Sequence, residues 1–321
     1  MVISNAYYFI ILYSLYIIMN VYLKYLLYFI VLVAVGIVYD KYKQKQGLTE
    51  DQKNYDLVKK YLLNDETILG NKPILWIHTV RDVNARHWPS FLSRNTTDLN
   101  QPYIGMCIES IIKHCGDSFN VVLIDDHSFD KVIPGWNVSI ADAADPVKSH
   151  LRTLAICKLL YYFGGVVCPN SFLCLKDLKP LYDEKLKDGN GFKVDDVMFI
   201  GSRKHSPAMR DVLNYLEALN SHDFTNEQDF LGNVNRFLST KFTTIDGKLF
   251  GKKTESGSDV LIDDLLETSY VDIDENAYGV LIPSKDILTR NKYKWFARQS
   301  KNQVLHGNLA LSRYFVLALG E

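Results

Sequence analysis

The chain predicts an α/β fold, a Rossmann-like and mostly parallel sheet behind an N-terminal transmembrane helix. Three observations point there. Short, wholly apolar runs of strand length recur, among them residues 74–78, 121–124 and 197–200, and such runs suit strands buried on both faces. Stretches with helical spacing lie between them, so strand and helix alternate. Residues 6–39 are apolar or aromatic almost throughout and stop abruptly at Asp40 and Lys41.

The first strand is Ile74-Leu75-Trp76-Ile77-His78, after Lys72-Pro73. A helix follows over 102–114, with Met106, Ile108, Ile111 and Ile112 on or near one face, then a second strand over 121–124 closed by Asp125-Asp126. Strand, helix and strand in that order make a right-handed βαβ unit. A longer helix runs from Val147 or Lys148 to Phe163; Gly164-Gly165 stops it before a strand at 166–168. A strand at 197–200 precedes Arg203-Lys204-His205-Ser206-Pro207 and a helix over 208–219. Residues 247–257 form a loop, and 280–282, between Gly279 and Pro283, a short strand.

Composition narrows the function. With 47% hydrophobic and 23% charged residues the chain buries a full core, and 36 Lys plus Arg against 37 Asp plus Glu leave no field that attracts nucleic acid. The five cysteines are odd in number and lack a CxxC pair, so neither a disulfide framework nor a zinc site is signalled. They read as buried thiols and fit a reducing compartment.

The N-terminus is a membrane anchor, residues 1–45. A helix through residues 6–39 would be roughly 50 Å long, more than a hydrocarbon core about 30 Å thick needs. One span therefore falls near residues 21–38, and residues 6–19 form either a second short span or an interfacial segment. There is no charged leader before a short apolar stretch, which argues against a cleaved signal peptide. Lys41, Lys43 and Lys45 follow the span, whereas no Lys or Arg precedes Lys24; the positive-inside rule puts the C-terminal domain in the cytosol. Two sequons, at Asn95 and Asn137, are then unused. Residues 46–71 form a connector whose helix starts at Thr49 and runs through Tyr55, Val58 and Leu62, and 72–321 form the soluble domain.

The segment Ser149-His150-Leu151-Arg152, followed by Leu159 through Phe163, Gly164-Gly165 and Val166-Val167, resembles the sugar-binding region of DXD-type glycosyltransferases related to initiating mannosyltransferases and capsular polysaccharide enzymes. It is also similar to a group of uncharacterised giant-virus proteins. The resemblance implies a GT-A-like fold from residue 74 to about 306. In that family a serine-aspartate pair and an arginine lead into tyrosine-glycine-glycine, a strand and the DXD motif, whose carboxylates hold a divalent cation on the nucleotide diphosphate. Here Pro169 and Ser171 stand where the two aspartates fall, and His150 replaces the aspartate of the pair. The stretch from Arg152 to Gly164 is about one helical turn longer.

The resemblance therefore implies a hexosyltransferase-like protein that takes a nucleotide-sugar donor and an unidentified acceptor at a membrane, without a DXD-bound metal and with no cofactor. Its alternative is a non-catalytic descendant that binds a glycan, nucleotide or protein. Candidate substrate-binding residues are His78 at the end of the first strand, Asp125 and Asp126 after the second, Arg152, Asn170 and Ser171, the basic run Arg203, Lys204 and His205, and His306, which resembles the family's late histidine in position. Each has a plain structural reading as well: turn or cap for the aspartates, ion pair for Arg152, a solvated loop for the basic run. Gly164-Gly165 reads as a helix stop. The long loop over 81–103, with Arg86, His87, Trp88 and Arg94, is a further contact candidate without an assigned role.

Overall fold

The computed structural model describes residues 72–79, 101–140, 142–187, 189, 191–195, 197–221 and 227–320. The anchor, the connector and the loop at 80–100 lie outside the described residues. Among the described residues no helix is long and apolar enough to cross a membrane.

The first half of the domain follows the expected order, β1 (Ile74–His78), α1 (Pro102–Cys115), β2 (Asn120–Ile124), α3 (Val147–Phe163) and β3 (Gly165–Cys168), with one unforeseen short helix, α2 (Phe129–Val132), between β2 and α3. Then come β4 (Phe172–Cys174), α4 (Lys179–Lys187), β5 (Gly191–Val194), β6 (Val197–Ser202), α5 (Pro207–Asn220), α6 (Glu227–Lys241) and β7 (Thr243–Ile245). A 3-10 turn at Gly247–Phe250, α7 (Ile262–Leu265), β8 (Gly279–Leu281), α8 (Ser284–Thr289), α9 (Lys301–Leu305) and α10 (Ala310–Leu319) complete the chain.

Six strands form one sheet in the order β2-β1-β3-β6-β5-β7. β1 pairs in parallel with β2 and β3, β6 runs antiparallel to β3 and β5, and β5 is parallel to β7. Five strands thus point one way and β6 alone points back. β4 and β8 pair in a separate two-stranded antiparallel sheet.

The pleat of β1 divides the core. Leu75 and Ile77 pack with Tyr103, Met106 and Ile111 of α1, with Phe172 of β4 and with Phe315 of α10. Ile74 and Trp76 face the other way, onto Leu154 and Leu160 of α3, Met209 of α5 and Phe230 of α6. The fold is three layers, with the sheet buried on both sides, which is why its central strands are apolar apart from their last residues, such as His78 of β1 and Ser202 of β6.

Gly164 and Gly165 make a close fit within the sheet possible. Both have positive φ, 71° and 101°. A Cβ on Gly165 would lie 2.1 Å from the Ile74 carbonyl oxygen, and one on Gly164 2.7 Å from the Lys204 nitrogen. The Gly164 carbonyl accepts a hydrogen bond from Trp76 Nε1 at 3.0 Å. The pair ends α3 as expected and also lets three backbones meet where β3 begins.

All five cysteines are free and buried. Burial pushes the Cys157 thiol up to about 12. Cys115 and Cys174 approach to 3.8 Å between sulfur atoms, inside the α1 face of the core.

Candidate functional site

α1, which follows β1, packs on one face of the sheet, and α3, which follows β2, packs on the other. Adjacent strands whose connections part in this way leave a crevice at their carboxyl ends, the place where open α/β sheets bind ligands. His78 ends β1 opposite Ile124, the last residue of β2, so His78 and the Asp125-Asp126 turn stand on the two sides of that crevice.

A hydrogen-bonded group spans it. His78 Nε2 lies 3.1 Å from Asp126 Oδ1. Arg152, in the second turn of α3, grips the same carboxylate with two donors, Nε to Oδ1 at 2.8 Å and Nη2 to Oδ2 at 2.6 Å. Because α3 packs antiparallel to β3, its amino end and Arg152 come to the carboxyl edge of the sheet. The side chains are 13%, 14% and 23% exposed for His78, Asp126 and Arg152, so the group is largely sheltered but open on one side.

Burial pushes the Asp126 carboxyl up, yet the hydrogen bonds from His78 and Arg152, with their charges, outweigh it and hold it well below the usual carboxylate range. An ionised carboxylate can only accept, so the His78 Nε2 carries the proton it shares with Asp126. The other ring nitrogen, Nδ1, makes no hydrogen bond to the described residues. Phe129 of α2 backs the imidazole, stacked at 5.5 Å between ring centroids and 14° between planes. The ring is fixed on one side by an aromatic wall and on another by a carboxylate.

The remaining candidates divide by location. Asp125 serves the turn: its Oδ1 accepts from Ser128 Oγ at 2.5 Å and from the His127 nitrogen at 3.1 Å. Asn170 and Ser171 follow β3 and reach the same carboxyl edge, where the Ser171 carbonyl accepts from the Ile282 nitrogen at 3.1 Å. Neither side chain is a carboxylate, and among the described residues no group of three or more His, Cys, Asp or Glu side chains can hold a metal ion.

Arg203, Lys204 and His205 are not part of this group. β6 runs antiparallel, with Ser202 opposite Gly165 at the start of β3, so the basic run lies at the amino edge of the parallel strands. Arg203 holds the last carbonyls of α4, donating to Leu186 and to Lys187 O at 2.6 Å. His306 is exposed at the end of α9, its Nδ1 2.9 Å from the Asn302 carbonyl oxygen, with no contact to His78 or Asp126.

Two further aspartates at the carboxyl edge escaped the sequence reading. Asp195 follows β5 and Asp246 follows β7, and Lys253 Nζ lies 3.1 Å from Asp195 Oδ2 and 3.9 Å from Asp246 Oδ1. Only the strand order brings them there. His150, which replaces an expected aspartate, is buried and stacks on Phe230 of α6 at 3.8 Å. It belongs to the α3–α6 packing. Compared with family models, curated proteins and solved structures, the chain matches none.

Proposed function

We propose that the domain is a glycosyltransferase-like protein that takes a nucleotide-sugar donor at the carboxyl edge of β1–β3, with His78 as the base that activates the acceptor. The observation that carries this reading is the His78–Asp126–Arg152 group at the switch crevice. With Nε2–H directed to Asp126, Nδ1 presents a lone pair to an incoming hydroxyl, the arrangement a general base needs. In the reaction, Nδ1 takes the acceptor hydroxyl proton and the acceptor oxygen bonds to the anomeric carbon. The bond from that carbon to the diphosphate oxygen breaks, and its electron pair leaves with the nucleoside diphosphate. Asp126 stabilises the imidazolium so formed, and Arg152 keeps Asp126 in place. The amino end of α3, at the same edge, favours the departing anion. No step runs through a metal.

A second reading has a specific observation behind it. Arg152 stands at the crevice and gives two hydrogen bonds to Asp126, so a diphosphate that meets this pair meets no net charge. A fold that binds a glycan or nucleotide without turning it over fits that pairing.

The deciding experiment is thermal unfolding of the full chain in detergent with a panel of nucleotide sugars and free nucleotides, with manganese and with a chelator, followed by turnover assays. The transferase reading expects stabilisation by one donor that survives chelation, with turnover. Stabilisation without turnover selects the binding reading, and no shift with any nucleotide sinks the donor seat.

A further inference from the structure

The cysteines are unevenly placed. Cys107 and Cys115 of α1, Cys168 at the end of β3 and Cys174 at the end of β4 all lie in the α1 side of the core, while Cys157 of α3 lies in the other. Two of them meet. Cys115 is the last residue of α1 and Cys174 the last of β4; 59 positions apart in the chain, their sulfur atoms are 3.8 Å apart and share a hydrogen bond. A disulfide holds its sulfurs at about 2.05 Å, so rotating the two thiols toward each other by roughly 2 Å in all would bring them to bonding distance.

The pair differs from the other thiols in chemistry as well. A hydrogen bond from Cys174, helped by one from the Leu178 backbone nitrogen, holds the Cys115 thiol below its ordinary value, against burial and the charge of Asp177. Giving that hydrogen bond, together with burial, pushes Cys174 well up. Cys115 therefore ionises first, with the Cys174 proton in place to steady the thiolate. Burial alone pushes Cys107 and Cys157 up, so they stay protonated. Both sulfurs of the pair are covered, but the surface is near. Asp117 and Lys176, each two residues beyond its cysteine, are exposed. Their turns are held by Ser118 Oγ, which donates to Asp177 Oδ2 at 2.5 Å, and by Lys176 Nζ, which donates to the Glu275 carbonyl at 2.6 Å. Cys174 Sγ itself lies 3.2 Å from the Lys176 carbonyl oxygen. Surface turns held by side-chain hydrogen bonds open locally at lower cost than the sheet beneath them.

We propose that Cys115 and Cys174 are a reversible oxidation site, which hydrogen peroxide converts from two thiols to a disulfide. In the first step the Cys115 thiolate attacks one peroxide oxygen and the O–O bond breaks. A sulfenic acid forms on Cys115, and the leaving oxygen departs as water with the proton that Cys115 released. In the second step the Cys174 sulfur attacks the sulfenic sulfur, the S–S bond forms and the S–O bond breaks. Hydroxide leaves with the Cys174 proton as a second water. The two sulfurs lose two electrons between them and the peroxide gains them. The new bond ties the carboxyl end of α1, on the six-stranded sheet, to β4 of the two-stranded sheet. A dithiol that opens and closes in this way suits a chain whose other thiols stay reduced. The inference is independent of the donor seat.

The test treats the full chain in detergent with hydrogen peroxide, blocks the remaining thiols and maps the unreduced digest by mass spectrometry. The expected product is a cross-linked peptide pair joining Cys115 to Cys174, lost on treatment with dithiothreitol. It should form roughly tenfold or more faster than Cys157, the thiol with no sulfur partner, is oxidised. Cys174→Ser keeps the first step and removes the second, so a dimedone adduct should accumulate at Cys115. Cys115→Ser should give neither bridge nor adduct at that rate. Mapping of the wild-type chain needs neither variant to fold. Five free thiols after an exposure that fully oxidises glutathione in the same buffer overturn the inference. So does a bridge from either cysteine to a different one, or a Cys115–Cys174 bridge that appears only once urea has unfolded the chain.

Discussion

At the scale of single residues, Asp126 holds the crevice together. Arg152→Ala leaves its half-buried carboxylate with one donor in place of three hydrogen bonds, and the loss should be about 1–3 kcal/mol in chemical denaturation. Arg152→Lys should recover only part of it, because an ammonium cannot reproduce the two-armed grip. The pH dependence follows from the depressed Asp126 value. A carboxyl whose folded pKa lies below its unfolded one stabilises the fold above the unfolded value, about 3.9, and loses that contribution as pH falls toward the folded value. The stability difference between wild type and Asp126→Asn should therefore be constant from neutral pH down to about 5 and shrink below about 4. A difference that grows on acidification would contradict the assignment. His78→Gln keeps a donor toward Asp126 and removes the basic nitrogen; on the transferase reading turnover falls on the order of a hundredfold or more while the donor-induced thermal shift stays.

Among elements, the sharpest constraint is where α3, β3 and β1 meet. Gly165→Ala places a methyl 2.1 Å from the Ile74 carbonyl at φ 101°, so the strand pair must part or the helix must shift. A cost on the order of 3 kcal/mol is expected, with loss of the folded state on expression as the extreme outcome. Trp76→Phe keeps the ring volume nearby but removes the donor to Gly164, leaving a buried carbonyl unpaired, and should cost about 1–2 kcal/mol by thermal unfolding. The helix stop at Gly164-Gly165 was legible because two glycines after a helical run have few other uses. Their second role, the backbone contact with β1 and with the turn after β6, was not, since it depends on residues about ninety positions earlier and forty later in the chain.

For the whole molecule, the direction of β6 separates two surfaces. Had β6 run parallel, Arg203 to His205 would have joined His78 and Asp126 at one edge; its reversal sends them to the opposite one. Hydrogen exchange of the full chain with a stabilising nucleotide sugar should therefore protect the ends of β1 and β2 and the turn at residues 169–171, and leave residues 203–206 unchanged. Protection of both regions by one small ligand would contradict the separation.

The α/β class, five of the first six elements up to β3 (the short α2 was not foreseen), the buried thiols and the candidates His78 and Asp126 were legible in the chain, because apolar runs and glycine stops are local signals whose physics does not wait for tertiary contacts. Strands β4, β5 and β7, three or four residues long, were missed, since so short a run carries no period of its own. Tertiary structure alone decided which charged residues share an edge. Arg152 lies 26 positions after Asp126 and 74 after His78, and it meets them because α3 packs antiparallel to β3. Asp195 and Asp246 reach the same edge only through the strand order, and His150 found its partner in Phe230, 80 residues on. Local sequence sets which segments become strands and helices; pairing direction, a property of strands far apart in the chain, sets which side chains can act together.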